Sequence, residues 1–254
     1  MRETPVRELP KPIVGAAPEG ATDRESASRA VREMFTAIAP RYDLLNHLLS
    51  ANVDKLWWRR TARTFATILS QPGTQVLDLC CGTGDMAFAL HREAADARIT
   101  GADFSHAMLV LASAKSSSDR PVKWIEADAL RLPFPDESFH LVTSAFGFRN
   151  LADYDEGLRE IRRVLRPEGQ YGILEFSEPE GLLGNLYNVY FKSVLPRIGR
   201  LISGAQSAYS YLPASVARFP APPEMLARMQ TVGFRETSWI PYTFGIAGLF
   251  RGKR

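Results

Sequence analysis

Apolar residues in the first part of the chain recur with a helical period. Ala27, Ala30, Val31, Met34, Phe35 and Ile38 form the stripe of an amphipathic helix that Pro40 stops. Trp58, Ala62, Phe65 and Leu69 mark a second helical stretch, ended by Pro72-Gly73. From Gln75 the period changes. Short β-branched or aliphatic runs, Gln75–Cys80, Arg98–Asp103, Val122–Ala127, Phe139–Phe146 and Gln170–Phe176, alternate with helix-length segments. That alternation predicts βαβ units and a doubly wound parallel sheet. Between the last two runs, Asp153 is placed to cap a helix carrying Leu158, Ile161 and Leu165, with Pro167-Glu168-Gly169 turning the chain into the next strand.

The alternation lapses after Phe176. Tyr187, Tyr190, Phe191, Tyr209, Tyr211 and Phe219 fall in a stretch that reads as an insertion and not as a strand. Regularity returns with a helix over Pro223–Val232, a left-handed cap at Gly233, and closing strands at Phe234–Trp239 and Thr243–Arg251. Residues 1–24 carry four prolines, scattered charges and no apolar period, the composition of a disordered leader. The expected organisation is this leader followed by one domain, 25–254, with a helical lid at 25–70 and an aromatic insertion on the substrate side at 177–222.

Composition narrows the function classes. Thirty-one Lys and Arg against 28 Asp and Glu give a net charge of +3 over 254 residues, which carries no polyelectrolyte signature and argues against nucleic acid as a ligand. The two cysteines, Cys80 and Cys81, are adjacent, so neither a disulfide framework nor a four-ligand zinc site is expected, and no histidine spacing suggests a metal. With no signal-like stretch and no apolar run long enough to span a bilayer, the chain reads as cytoplasmic.

Chemistry concentrates where the first strand meets the first glycines. Val76-Leu77-Asp78-Leu79-Cys80-Cys81-Gly82-Thr83-Gly84-Asp85 runs from a strand through a glycine-punctuated turn into a helix, letting backbone approach a ligand. The glycines alone also satisfy the loose dinucleotide fingerprint, which leaves a nicotinamide-dependent oxidoreductase open. Two acids separate the readings. Asp103, ending the second strand, is placed for vicinal ribose hydroxyls. Asp78, at the mouth of the loop, would repel a pyrophosphate and suits a cationic head group. S-adenosylmethionine carries an ammonium and a sulfonium and no phosphate. Asp128-Ala129 ends the third strand, within reach of an adenine amine.

Asp78 to Asp85 resembles motif I of the class I methyltransferases, and the surroundings are narrower. Met34-Phe35, Ile38-Ala39, Arg41-Tyr42-Asp43-Leu44-Leu45-Asn46, Leu132-Pro133-Phe134-Pro135-Asp136, Phe146-Gly147-Phe148-Arg149-Asn150, Leu174-Glu175-Phe176-Ser177 and Tyr209-Ser210-Tyr211-Leu212 resemble the UbiE/MenG quinone C-methyltransferases. The resemblance implies a Rossmann-like seven-stranded sheet of the class I type. It implies S-adenosyl-L-methionine as cofactor, and Thr83, Asp103, Asp128 and Ala129 fall on the family's cofactor-binding positions. It implies methyl transfer to a ring carbon of a polyprenylated quinol, either demethylmenaquinol giving menaquinol or the methoxy-benzoquinol precursor of ubiquinone. Where the family often has a serine, this chain has Ala145, with Ser144 one residue earlier.

The reaction sets its own demands. A ring carbon attacks a sulfonium methyl only if the ring is electron-rich, so a quinol hydroxyl of pKa about 10 must ionise. Arg149 cannot accept that proton at neutral pH, and its expected role is to hold the phenolate while Asn150 orients water or the substrate oxygen. Tyr209 and Tyr211 are the candidate substrate contacts, and His47 is the one histidine considered for proton transfer. The apolar stretch Leu182–Leu201 and the pair Trp57-Trp58 beside Arg59-Arg60 suit an isoprenoid tail and a bilayer interface. Peripheral membrane contact and a homodimer stay open, as does a non-catalytic protein that merely binds an adenosine-containing ligand.

Overall fold

The computed structural model describes residues 12–43, 52–94, 96–117, 121–179 and 206–254. Two helices, α1 (Arg24–Ile38) and α2 (Val53–Thr64), precede the sheet, with a short α3 (Ala66–Leu69) after a break at Phe65. The spacing predicted one helix through Leu69. The break lets the Phe65 ring lie over Gly172, where a β-carbon would stand 2.5 Å from it. Pro40 ends α1 as expected, and a 3-10 turn at Ala39–Arg41 carries the chain on.

Five parallel strands follow: β1 (Gln75–Leu79), β2 (Arg98–Asp103), β3 (Val122–Glu126), β4 (Phe139–Ala145) and β5 (Leu165–Phe176). Helices α4 (Asp85–Glu93), α5 (His106–Lys115) and α6 (Tyr154–Val164) connect them, and α7 (Gln206–Arg218), α8 (Pro222–Val232), β6 (Arg235–Tyr242) and β7 (Ala247–Lys253) complete the described elements. The strand order is β3-β2-β1-β4-β5-β7-β6, with β7 antiparallel to both its neighbours. Order reverses between β1 and β4, and that switch point opens a crevice at the strands' carboxyl ends.

The sheet is packed on both faces, as near-continuous apolar strands require. Leu77, Leu79, Val142 and Ile173 share one cluster with Leu158 of α6 and Met225 of α8. Val76, Leu141, Leu174 and Leu249 share the other with Ala62 of α2 and Leu90 of α4. Asp78, in phase with Val76, projects into the second layer.

Three boundaries differ from the sequence reading. β5 begins at Leu165, and the turn at Glu168, with φ of 62°, is absorbed by a register shift against β4 between Phe139 and Leu141. β6 runs on to Tyr242 and β7 starts only at Ala247, because Thr243 and Phe244 adopt φ of 45° and 57° in a 3-10 turn that no strand accommodates. Part of the expected disordered leader is held. The N–H groups of Val14 and Gly15 donate to the Ala152 carbonyl at 3.2 and 3.0 Å, and that of Ala16 to the Leu151 carbonyl at 2.7 Å. The close approach uses Gly15, whose β-carbon would meet the Leu151 oxygen at 2.0 Å. Three backbone hydrogen bonds to a fixed loop hold this segment without any apolar period, which composition does not reveal.

Asp153 joins this strap to the sheet. Buried, it caps α6 by accepting from the Glu156 N–H at 2.9 Å, and it pairs with Arg24 at the start of α1. Asp153→Ala should cost about 1–2 kcal/mol, lowering the melting temperature by several degrees. It should also speed proteolysis within residues 12–24; an unchanged melt and cleavage rate would contradict the tie.

Candidate active site

The crevice at the switch point holds a cavity of about 660 Å³, open to solvent. Asp103, Asp128 and Ala129 line it from the ends of β2 and β3, Gly82 from the loop after β1, and Asn150 from the turn after β4. Ser28, Phe35 and Tyr42, from α1 and the turn after it, close the opposite side. A smaller cavity of about 370 Å³ adjoins it, lined by Asp78, Gly82, Thr83, Asp85 and Trp58. Tyr42, Cys80, Gly82, Ala145 and Phe146 border both.

Two glycines make the loop possible. Gly82, at φ 53°, turns its N–H toward the Asp103 Oδ2 at 2.9 Å. Gly84, at φ 89°, stands at the start of α4, where a β-carbon would be 2.6 Å from the Trp124 ring; it borders neither cavity and serves the turn. Cys80 and Phe146 also sit in the left-handed region, at φ 53° and 57°. Backbone strain of that kind in bulky residues marks a site the surrounding structure holds in place.

Burial governs the acids. Asp103 accepts from the N–H groups of Gly82 and Ser105, both at 2.9 Å, yet desolvation raises its pKa to about 6. Asp78 is 0% exposed. Its Oδ1 accepts from the Thr143 hydroxyl at 2.9 Å, across the register pair joining β1 to β4, and its Oδ2 has no partner. Burial lifts its pKa to about 7. An orphaned carboxylate oxygen beside a cavity is a site for a cation or a hydrogen-bond donor. Asp128 is exposed at the edge of the large cavity, its Oδ1 accepting from the Leu130 N–H at 2.9 Å.

A model of the ubiE/COQ5 methyltransferase family matches residues 22–254. The chain belongs to that family. It is 48% identical over 234 residues to the demethylmenaquinone methyltransferase of Deinococcus radiodurans, covering 91% of this chain and 95% of that protein. It is 49% identical over 223 residues to the demethylmenaquinone methyltransferase of Thermus thermophilus, covering 87% and 100%. In fold it is similar to the crystal structure of an S-adenosylmethionine-dependent methyltransferase from Thermotoga maritima, with a TM-score of 0.62, 18% identity, and coverage of 88% and 99%. The protein is therefore an enzyme of methyl transfer on a class I methyltransferase sheet.

The methyltransferase places Thr83 in a polar knot. Its hydroxyl donates to Asp43, and Lys115 from the end of α5 donates to the Thr83 hydroxyl at 3.0 Å, to Asp43 at 3.0 Å and to Asp85 at 3.1 Å. The knot ties the segment after α1 to the glycine loop. Ser144 is buried with an unpartnered hydroxyl and borders neither cavity, while Ala145 borders both, so no serine hydroxyl meets the pocket there.

Arg149 differs most from expectation. Ionising a quinol hydroxyl calls for a cation facing the substrate, but the guanidinium is buried and paired: Nη1 lies 2.9 and 3.2 Å from the two carboxylate oxygens of Glu175 and also donates to the Phe146 carbonyl. Its Nε reaches the Ser215 hydroxyl at 3.4 Å and its Cζ lies 5.4 Å from the Phe176 ring centre. It borders neither cavity, whereas Asn150 does. Asn150 accepts a hydrogen bond of 3.0 Å from Tyr211, joining one candidate substrate contact to one candidate catalytic residue. The Tyr209 side chain, His47 and Leu182–Leu201 lie outside the described residues.

Sequence reasoning missed Glu175, Tyr42 and Phe146. The signal for Glu175 was present, since an acid inside an apolar central strand repeats the oddity that singled out Asp78 and Asp103. Trp57 and Trp58 are both buried, which corrects the bilayer role read from the sequence. Trp57 donates from Nε1 to the Thr243 hydroxyl at 2.8 Å and packs against Phe146 and Phe176.

A raised carboxyl pKa means that the folded state favours the protonated form. The stabilisation is complete below the unfolded pKa near 4 and is lost as pH rises through about 7. Asp78→Asn, which keeps an acceptor for Thr143, should therefore melt above the parent by several degrees at pH 8 and by less than half that margin at pH 5, because the loss begins at the unfolded pKa near 4 and is complete only above about 7. Parallel melts at both pH values would show that the buried charge is not felt.

Proposed function

We propose that the enzyme transfers a methyl group from S-adenosyl-L-methionine to a ring carbon of a polyprenylated quinol, converting demethylmenaquinol to menaquinol. The observation that carries the cofactor is the Asp78 Oδ2, a buried carboxylate oxygen without a partner, beside a pocket whose far end carries Asp103 and Asp128. Asp78 with Gly82 and Thr83, on the turn that Gly84 permits, would hold the cationic amino-acid end, Asp103 the ribose hydroxyls, and Asp128 with Ala129 the adenine. When bound, the cofactor supplies an electrophilic methyl on a sulfonium. The quinol assignment is supported by the relatives from Deinococcus radiodurans and Thermus thermophilus, similar over nearly their whole lengths.

The chain's own residues prepare the acceptor. Phe146, which borders both cavities and is backed by Phe176, with ring centres 4.5 Å apart, and by Trp57, gives an apolar wall for an aromatic ring. Arg149 behind that wall stabilises negative charge on a ring oxygen, lowering a phenolic pKa by roughly one to three units. Asn150 orients the oxygen or a water, and Tyr211, bonded to Asn150, fixes that amide. Tyr209 is the further proposed substrate contact.

Among the described residues no helix is long and apolar enough to cross a membrane. A tailed quinol would be met at the bilayer surface. Leu56 and Phe244, 63% and 81% exposed, flank the Trp57–Thr243 contact, with Lys55 and Arg59 exposed on the same helix. They replace the buried tryptophans as the proposed lipid contacts. A homodimer remains part of the proposal only as an assembly compatible with this surface.

Incubation with S-adenosylmethionine and reduced demethylmenaquinone should add one methyl by mass, with a methoxy-benzoquinol arm run in parallel; no methyl gain on either quinol would overturn the assignment. Arg149→Ala should lower turnover by at least ~10²-fold while S-adenosylhomocysteine affinity stays within about threefold, read by calorimetry. Equal losses would assign Arg149 to cofactor binding. In flotation with anionic liposomes, Leu56→Glu with Phe244→Glu should release a parent protein that floats; a parent that stays at the bottom removes the lipid contact.

A further inference from the structure

Glu175 is a fully buried acid for which the scheme above has no use. It sits near the end of β5, borders neither cavity, and carries both its oxygens against one nitrogen of Arg149, with Oε2 also accepting from the Phe176 N–H at 3.3 Å. The same Arg149 nitrogen donates to the Phe146 carbonyl, and Phe146 borders both cavities. The pair thus lies one residue behind the pocket wall. The titratable or charged groups around Glu175 are Arg149 from the turn after β4, Tyr154 of α6, whose hydroxyl donates to the Arg149 carbonyl, and Tyr211 and Arg218 of α7. From β7 its register partner is Gly248, which has no charge. Desolvation outweighs Arg149 and lifts the Glu175 carboxyl to about 7.

An ion pair in a dry setting is neutral as a unit. A phenolate formed beside it with Glu175 still ionised would put two anions against one cation, and buried uncompensated charge is strongly disfavoured. The conflict disappears if the number of charges is conserved. We propose that Glu175 is the proton-accepting counter-ion of Arg149: as a phenolic oxygen at the pocket ionises, its O–H bond breaks and an O–H bond forms on the Glu175 carboxylate. Arg149 then exchanges carboxylate for phenolate, and the net charge of the site stays constant. Glu175 borders neither cavity, so it takes up the proton without touching the substrate, and its part in the reaction is to set the charge that Arg149 faces. The inference rests on the reading that a phenolic oxygen is held beside Arg149.

The probe is 1-naphthol, whose ionised form is read by absorbance, and the protons released on binding are counted by calorimetry at pH 7.5 in two buffers of different ionisation enthalpy. The parent should bind naphtholate and release less than about a third of a proton per site, because the proton is kept on Glu175. Glu175→Gln, of nearly the same shape, should bind naphtholate with about one proton released. Glu175→Asp should restore retention, and if the Gln variant fails to fold, the Asp variant still reports through a shifted pH dependence of retention. In methyl transfer, the limb of the pH–rate profile near neutrality should vanish in Glu175→Gln. Equal proton release by parent and Glu175→Gln, with Arg149→Lys lowering the naphtholate fraction, would overturn the inference and leave the role of Arg149 standing. Naphthol that stays un-ionised in the parent and is unaffected by Arg149→Lys would overturn both.

Discussion

Burying carboxylates at the ends of packed strands is the constraint on which the site depends. Asp78, Asp103 and Glu175 are all at or below 6% exposure, and for each one desolvation is the largest influence on its titration. The sheet meets the cost in three ways. Asp103 receives two backbone N–H groups that the glycine loop and the start of α5 aim at it. Glu175 receives a whole cation, Arg149. Asp78 receives the Thr143 hydroxyl and the nearby Ala87 N–H from the first turn of α4, and its Oδ2 keeps no hydrogen-bond partner. The incomplete solution is the informative one, since an unsatisfied buried oxygen beside a cavity is tolerated where a ligand completes it.

The N-terminal elements complete the pocket. α1 reaches across the ends of β2 and β3, where Arg32 donates to the Phe104 carbonyl at 2.6 Å and pairs with Glu126 at 3.1 Å, and Thr36 meets Ser105 at 3.1 Å. These contacts are polar and half-exposed, so each contributes little alone. Lys115 adds a branched tie among Asp43, Thr83 and Asp85. A roof held by several weak, exchangeable bonds over a strongly packed sheet can part for a ligand without disturbing the core.

Much of this was legible in the residues. The βαβ alternation and the acids at successive strand ends located the crevice, because burial on both faces forces continuous apolar runs in which a charge stands out. Asp153 as a cap and Gly233 as a left-handed stop followed from local chemistry and appear as read. What periodicity could not reveal was pairing at a distance. Nothing local in Leu174-Glu175-Phe176 says that Arg149 lies against it, 26 residues away. Trp57-Trp58 beside arginines has the composition of a membrane face, and only the packing of Trp57 on Phe146 and Phe176 shows that the same residues form an interior wall.

That wall and the ion pair behind it answer one requirement. A quinol ring is apolar in the ground state and anionic when it attacks, so a fully polar pocket would bind the wrong state and a fully apolar one would oppose ionisation. A neutral ion pair one layer behind aromatic rings presents little net charge to the resting ring and a reserve of positive charge once its own anion is discharged. Preorganised charge of this kind acts more strongly away from water than in it. The pairing of Arg149 with Glu175 that first counted against a catalytic arginine therefore becomes the feature that reconciles an apolar substrate with an anionic transition state.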